Sequence, residues 1–229
     1  VGLANPYYAR MASSPNATVI GDAMSQNPSF FSLWIGNNDI LGFASSGGAG
    51  EDQTGNFDPT TYGGNDITDP NVFASVYNGL LGGLASTGAK GIVANIPSVT
   101  SIPYFTTVPY NAIPLDAAKA GAVNQGYAPY NGGIQQALAA LTGTGLFTAE
   151  EAAKRTITFT AGQNAVVIID EDLTDLGAIN PAFAALPKYR QATAEDLLVL
   201  TNLSFLGTVV NNNPQLINGV TVPLEDKWV

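Results

Sequence analysis

The sequence predicts an α/β protein with a mainly parallel sheet, and three observations support this fold class. Two apolar runs, at 30–35 and 92–96, lack period-two alternation, as is typical of strands buried on both faces of a parallel sheet. Between them, residues 72–87 repeat apolar positions at helical spacing, and Gly88 follows as a C-cap. Strand, helix and strand in this order favour a right-handed βαβ unit. A third apolar run, at 166–169, is expected to join the same sheet.

Composition and charge narrow the classes of function. The chain has 229 residues, and its 8 lysines and arginines against 18 aspartates and glutamates give a formal net charge of −10. Because phosphate binding needs a basic face, this balance argues against nucleic acid as a partner. Apolar residues make up 45% of the chain and charged residues 11%, so the sequence is expected to build a core. Its length, without a linker, predicts one domain over residues 1–229.

Two residue types are missing from the sequence. Without cysteine there is no disulfide, no thiolate nucleophile and no cysteine-bound metal. Without histidine, the chain lacks the usual general base of serine hydrolases and the commonest metal ligand. No apolar run approaches the roughly 18–20 residues of a membrane-spanning helix. Any enzymatic interpretation must therefore explain where the base comes from.

Three further helices are predicted. The first covers residues 19–24 and should end at Asn27-Pro28, since proline cannot continue a helix. The second covers residues 125–141, although two glycines interrupt it. The third begins after Thr148, where a threonine followed three residues later by a glutamate forms a capping box.

The remaining segments are predicted as loops and short strands. Residues 44–71 are rich in Gly, Ser, Asp, Asn and Thr and form a long loop. Residues 103–114 are aromatic and punctuated by proline, which favours a fixed surface loop. Residues 157–159 and 165–169 are expected to pair as a hairpin or to form successive strands. A turn or helix starts at 193–196.

One motif carries chemistry, the block Gly36-Asn37-Asn38-Asp39 that follows the first apolar strand. At the carboxyl end of a parallel strand, this block places an amide side chain where open α/β sheets bind ligands. The block resembles the third conserved block, G-x-N-D, of the SGNH or GDSL hydrolases. The stretches at 91–103 and 165–172 are similar to the same family, in particular to its secreted or surface-lipoprotein members in Bacteroidota. The resemblance covers most of the chain.

The resemblance implies a fold, an activity and roles for individual residues. The family has a flavodoxin-like, three-layer α/β/α fold and hydrolyses carboxylic esters with a serine nucleophile and a histidine base, without metal or organic cofactor. The matching residue for the oxyanion-hole donor is Asn38. Gly36 allows the tight turn, and Asp39 supports the loop. The family also implies a secreted protein or an outer-membrane, cell-surface lipoprotein.

The departures from the family concern the nucleophile and the base. The sequence contains no Gly-Asp-Ser block. The similar segment Gly21-Asp22-Ala23 has alanine in place of serine and lies too near Gly36 in the chain, so we interpret it as helix. The closing Asp-x-x-His block is missing because no histidine exists. Two explanations compete: an internal portion of a longer enzyme, incomplete at both ends, or a degenerate homologue kept as a binding platform. We favour the first, because one truncation at each end accounts for both losses, and we expect this chain alone to be inactive.

Other chemical groups have structural as well as functional interpretations. The carboxylates of the glycine-rich loop either bind calcium or, as we favour, form a solvated acidic loop. They are Glu51, Asp52, Asp58, Asp66 and Asp69. A second acidic cluster suits glycosidase chemistry or, as we favour, helix capping; it comprises Asp170, Glu171, Asp172 and Asp175. Lys90 and Lys119 are candidate bases without an identified serine partner. Tyr104, Phe105 and Tyr110 either line a ligand pocket or pack as an ordinary loop.

The expected partner is a small-molecule, glycan or lipid ester. A surface lipoprotein would be anchored to the membrane through an N-terminal lipid carried upstream of residue 1. A place in an outer-membrane complex belongs to the alternative, non-catalytic interpretation.

Overall fold

The structure is a computed structural model and describes residues 7–229. The protein is mixed α/β. The helices are α1 Val19–Ser25, α2 Asn37–Ser45, α3 Pro70–Ala85, α4 Pro103–Thr106, α5 Ala117–Leu141, α6 Ala149–Arg155 and α7 Leu176–Ile179. The strands are β1 Phe30–Leu33, β2 Lys90–Val93, β3 Ile113–Leu115, β4 Gly162–Asn164, β5 Val167–Ile169, β6 Tyr189–Gln191, β7 Val209–Val210 and β8 Asn213–Ile217. No helix within the described part of the chain has the length and hydrophobicity to cross a membrane.

The chain divides into two compact units. Unit 1 comprises residues up to 43 together with 50–97, and unit 2 comprises 44–49 together with 98–229. Unit 1 contains β1, most of α2, α3 and β2, and therefore the Gly-x-Asn-Asp block. Unit 2 contains the remaining strands and the larger apolar core.

The predicted βαβ arrangement is present in unit 1. Strand β1 pairs in parallel with β2, from Phe30 opposite Lys90 to Leu33 opposite Val93. Between them, α3 begins at an N-cap, Asp69, whose carboxylate accepts hydrogen bonds from the first backbone N–H groups of the helix. The expected helix is confirmed, with Pro70 at its first position and its end shifted by two residues from the predicted 87.

The expectation that these strands are buried on both faces is wrong for the described residues. Every residue of β2 is exposed, and the exposed apolar side chains of the pair include Phe30, Ile92 and Val93. Among the described residues of unit 1, Leu84 is the only buried apolar side chain. The physical reason is that burial on both faces requires helices packed over each face of a sheet, and the exposure of β2 shows that its side chains are not covered in this way.

The third predicted strand lies in a different sheet. Strand β5 pairs antiparallel with β6, from Val167 opposite Gln191 to Ile169 opposite Tyr189. The prediction that residues 166–169 join the parallel sheet is therefore wrong. The apolar run did indicate burial, since Val166 and Val167 are fully buried. Such a run does not specify which strand it pairs with.

Two other segments in unit 2 also differ from expectation. The predicted surface loop at 103–114 contains α4 and β3, and it buries Phe105, Val108 and Ile113. Its aromatic and apolar residues belong to the core, which explains the difference. Residues 157–159 form no strand. Their backbone groups instead form hydrogen bonds with side chains of α5. The Asn131 amide accepts the N–H of Ile157 and donates to its carbonyl, and the Asn124 amide does the same for Phe159.

Helix α5 organises the core of unit 2. Its buried residues contact two apolar clusters, one around Val166 and Val167 and the other around Phe147 and Leu176. One glycine of the interrupting pair has a packing reason, because a Cβ on Gly133 would lie 2.6 Å from Cδ2 of Leu186, whereas a Cβ on Gly132 would have no neighbour within 4 Å. The predicted helix at 125–141 is confirmed and begins earlier, after an N-cap at Asp116.

Candidate functional site

The Gly-x-Asn-Asp block forms the turn between β1 and α2. Gly36 has φ +104°, in the left-handed region that favours glycine. A Cβ at this position would also lie 2.7 Å from Cδ1 of Ile96 and 2.8 Å from Cζ of Phe73. The chain can therefore turn from strand to helix here only with glycine.

Asn38 lies in the first turn of α2, beyond the carboxyl end of β1, and is exposed to solvent. The carbonyl of Gly36 accepts the backbone N–H groups of Asp39 at 3.2 Å and Ile40 at 3.4 Å. The N–H groups at the start of a helix have no partner within the helix, and the helix dipole is positive there. The amide of Asn38 therefore stands at an end of α2 that favours a partial negative charge.

Asp39 connects α2 to the segment that precedes α3. Its Oδ1 accepts a hydrogen bond from the Thr68 hydroxyl at 2.7 Å, and its Oδ2 accepts one from the Thr68 backbone N–H at 3.2 Å. The next residue, Asp69, is the N-cap of α3 and also accepts the N–H of Gly55 at 2.8 Å. Thr68 was not a candidate in the sequence, since nothing local marks a contact between distant residues.

Asn37 has an unusual environment. Its Oδ1 atom is buried, yet it has no hydrogen-bond partner among residues 7–229. Asn37 was assigned no role from the sequence. It shares with Asn38 a cleft of about 500 Å³, lined by residues 34–39 and by Pro59, Thr68, Val72, Phe73 and Val76.

The acidic loop of unit 1 is an ordered network. Asp66 accepts the backbone N–H groups of Glu51 at 3.0 Å and Gly63 at 2.6 Å, and these bonds hold its pKa below the usual range. A hydrogen bond from the Gly55 N–H lowers the pKa of Asp69 in the same way. The carboxylates of Asp66 and Asp69 are thus occupied by backbone donors. Over residues 7–229, no group of three or more such side chains is arranged to hold a metal ion.

The second acidic cluster also has structural partners. Asp175 is the N-cap of α7, and Asp170 accepts a hydrogen bond from Arg190. Arg190 additionally makes a bidentate pair with Asp196 at 2.7 and 2.8 Å. Burial opposes ionisation of Asp196, but hydrogen bonds from Arg190 and Thr193 outweigh it, so the pKa of Asp196 lies below its usual range.

The other candidates lie apart from the motif in the chain or have partners of their own. Gly21-Asp22-Ala23 lies in α1, where Asp22 accepts hydrogen bonds from Tyr8 and Ser13. Lys119 lies 3.7 Å from Asp116. Lys90 is the first residue of β2. Tyr104, Phe105 and Tyr110 belong to unit 2, where Phe105 is buried and Tyr110 packs against the core.

Comparisons with known proteins identify no relative. No family model matches the chain, and no curated protein or solved structure matches it significantly. The site is therefore interpreted from its own geometry.

Proposed function

We propose that this chain is part of a carboxylic-ester hydrolase that works by the serine mechanism of the SGNH or GDSL type. The observation that carries the proposal is the exposed amide of Asn38, placed beyond the carboxyl end of β1 by the left-handed turn at Gly36. An amide donor next to the positive end of α2 suits the oxyanion of a tetrahedral intermediate. The ester substrate is a small molecule, a glycan or a lipid.

In this proposal Asn38 acts on the chemical step. When the nucleophile attacks the ester carbonyl, negative charge develops on the carbonyl oxygen, and the Asn38 side-chain N–H donates a hydrogen bond to it. Asp39 supports Asn38 from the neighbouring position through its two bonds to Thr68. Such a donor stabilises the transition state more than the ground state.

The nucleophile and the base come from outside the 229 residues. The sequence has no histidine and no Gly-Asp-Ser block, and serine is a poor nucleophile without a base. The exposed apolar side chains on β1 and β2, among them Phe30, Ile92 and Val93, support the inference that further layers of the fold cover this sheet, because parallel sheets are normally covered on both faces. The complete fold in this proposal is a three-layer α/β/α domain. The support for this fold comes from the parallel strands of unit 1, since β5 pairs with β6 in a separate sheet.

A second candidate function is a non-catalytic binding platform. The complete absence of histidine favours it, because a degenerate homologue has no need of a base. In this version the protein is a surface lipoprotein or a subunit of an outer-membrane complex. Both candidates place the protein outside the cell or on its surface, anchored in the lipoprotein case by an N-terminal lipid.

The experiment that separates the two candidates compares the chain with the full product of its gene. Sequencing the gene past both ends establishes whether Gly-Asp-Ser and Asp-x-x-His flank residues 1–229. The full product should hydrolyse p-nitrophenyl esters and react with a fluorophosphonate probe at one serine, whereas the 229-residue chain should do neither. A full product that lacks both blocks and stays unlabelled rejects the hydrolase. Labelling of a serine within the 229 residues rejects the external nucleophile.

A further inference from the structure

The cleft beside Asn38 has an apolar wall that is open to solvent. Trp34 is 62% exposed and Val76 is 58% exposed, although both are large apolar side chains. Ile35, Val72 and Phe73 continue the same wall. Contiguous exposed apolar surface in a cleft is typical of a binding site, because it gains free energy when a ligand removes it from water.

The polar residues of the cleft lie together at the motif. They are Asn37, Asn38 and Asp39 at the start of α2, with Thr68 bonded to Asp39. The cleft thus offers an exposed amide donor next to an apolar wall. A ligand that fits both parts carries a polar acceptor at one end and an apolar group at the other.

Charge restricts the ligand further. Among the described residues that line the cleft there is no lysine or arginine, and the chain carries a net charge of −10. Asp39, the one charged residue within that described lining, is bonded to Thr68. An anionic ligand would have no ion-pair partner and would be repelled by the chain as a whole. A neutral carbonyl compound meets neither obstacle.

We infer that Trp34 and Val76 are specificity-determining residues that bind the alkyl chain of a neutral acyl group whose carbonyl oxygen lies at Asn38. This inference rests on the proposed function, which it extends by naming the part of the ester that the cleft selects. Longer alkyl chains bury more of the Trp34 and Val76 surface, so affinity rises with chain length until the wall is covered.

The test measures binding to the chain by calorimetry, so it requires no hydrolysis. The probes are acetamide, butanamide and octanamide, which share a neutral acyl carbonyl and differ in alkyl length. We expect affinity to increase by up to about fourfold for each methylene group that becomes buried. Trp34→Ala and Val76→Ala should each weaken octanamide binding by about tenfold or more while leaving acetamide unchanged. Circular dichroism verifies that both variants are folded.

Val19→Ala provides the matched control, because Val19 is 64% exposed on α1 and does not line the cleft. This variant should bind octanamide like the wild type. Equal affinity for all three amides, or octanamide binding that survives Trp34→Ala, overturns the inference. A wild-type dimer that Trp34→Ala dissociates, without amide binding, also overturns it, because a second copy then covers the wall. Length-dependent binding by a full gene product without esterase activity supports the apolar site and rejects the hydrolase.

Discussion

Thr68 donates two hydrogen bonds to the carboxylate of Asp39, a residue 29 positions earlier in the chain. The hydroxyl bond measures 2.7 Å and the backbone bond 3.2 Å. Together they join the first turn of α2 to the segment before α3. The site of unit 1 is therefore held by a contact between two elements as well as by its own turn.

Replacing Thr68 tests this contact. Thr68→Val keeps the side-chain shape and the backbone bond but removes the hydroxyl bond to Asp39. Hydrogen bonds to charged groups contribute about 1.5–3 kcal/mol, and partial exposure places the expected loss near the lower value. Amide hydrogen exchange in α2 should accelerate accordingly, because it reports local opening. Thr68→Ser should keep the wild-type exchange rates, and a Thr68→Val variant with unchanged rates would show that the hydroxyl bond contributes nothing.

Asn38→Ala should lower kcat in the full-length enzyme. Loss of one oxyanion-hole donor typically costs about 10²–10³ in kcat, because the bond is made mainly in the transition state. KM should change much less. Steady-state kinetics on a p-nitrophenyl ester measure both parameters, and circular dichroism should remain that of the wild type.

Asn37→Ala is the control for Asn38→Ala. Its Oδ1 has no hydrogen-bond partner among the described residues, so the substitution breaks no bond of that atom. It should cost far less activity than Asn38→Ala. Equal losses in the two variants, or an Asn38→Ala variant that raises KM and keeps kcat, would make Asn38 a turn residue without a role in catalysis.

Adjacent positions on α6 should differ greatly in stability. Arg155 is fully buried and pairs with Glu151, and it also donates to the carbonyls of Thr174 and Pro187 at 2.9 Å each. Breaking a buried pair by removing one partner costs about 3–5 kcal/mol. Arg155→Met should lower the free energy of unfolding of unit 2 by an amount in that range, measured by urea denaturation.

Lys154→Met is the matched control for Arg155→Met. Lys154 forms an i,i+4 pair with Glu150 at 4.0 Å, but both side chains are mostly exposed. Exposed pairs contribute about 0–1 kcal/mol, so the stability should hardly change. Comparable losses at the two positions would mean that burial of Arg155 does not determine its contribution.

Stability should fall in acid partly through Asp196. Its pKa is lower in the folded protein than the value of about 3.9 expected when unfolded. A lowered folded-state pKa adds stability above the unfolded pKa, and that stability is lost as the pH falls through the folded-state pKa. Urea midpoints from pH 6 down to the acid limit should therefore decrease less steeply in Asp196→Asn, which would itself be less stable at pH 6. An unchanged pH slope in that variant would contradict the assignment.

Features that depend on a few neighbouring residues can be predicted from the amino-acid sequence alone. Thr148 is the N-cap of α6, with its hydroxyl accepting the Glu151 N–H at 3.2 Å, as the capping box predicts. Asn27, with φ +49°, follows α1 where the Asn-Pro pair was expected to end it. Gly36 likewise lies at a turn, with φ +104°. Caps and turns act over three or four residues, so a linear pattern contains them.

Contacts between distant groups, in contrast, follow from the packing of the whole chain. The Glu151 side chain does not complete the capping box but accepts two hydrogen bonds from Thr174, at 2.8 and 2.7 Å. The 166–169 run pairs with β6 and not with β1, and the pair of Thr68 with Asp39 was invisible beforehand. An apolar run indicates that a strand will be buried, and a carboxylate indicates a need for hydrogen-bond donors. Neither identifies the strand or the donor that becomes its partner, because the partner depends on how the whole chain packs.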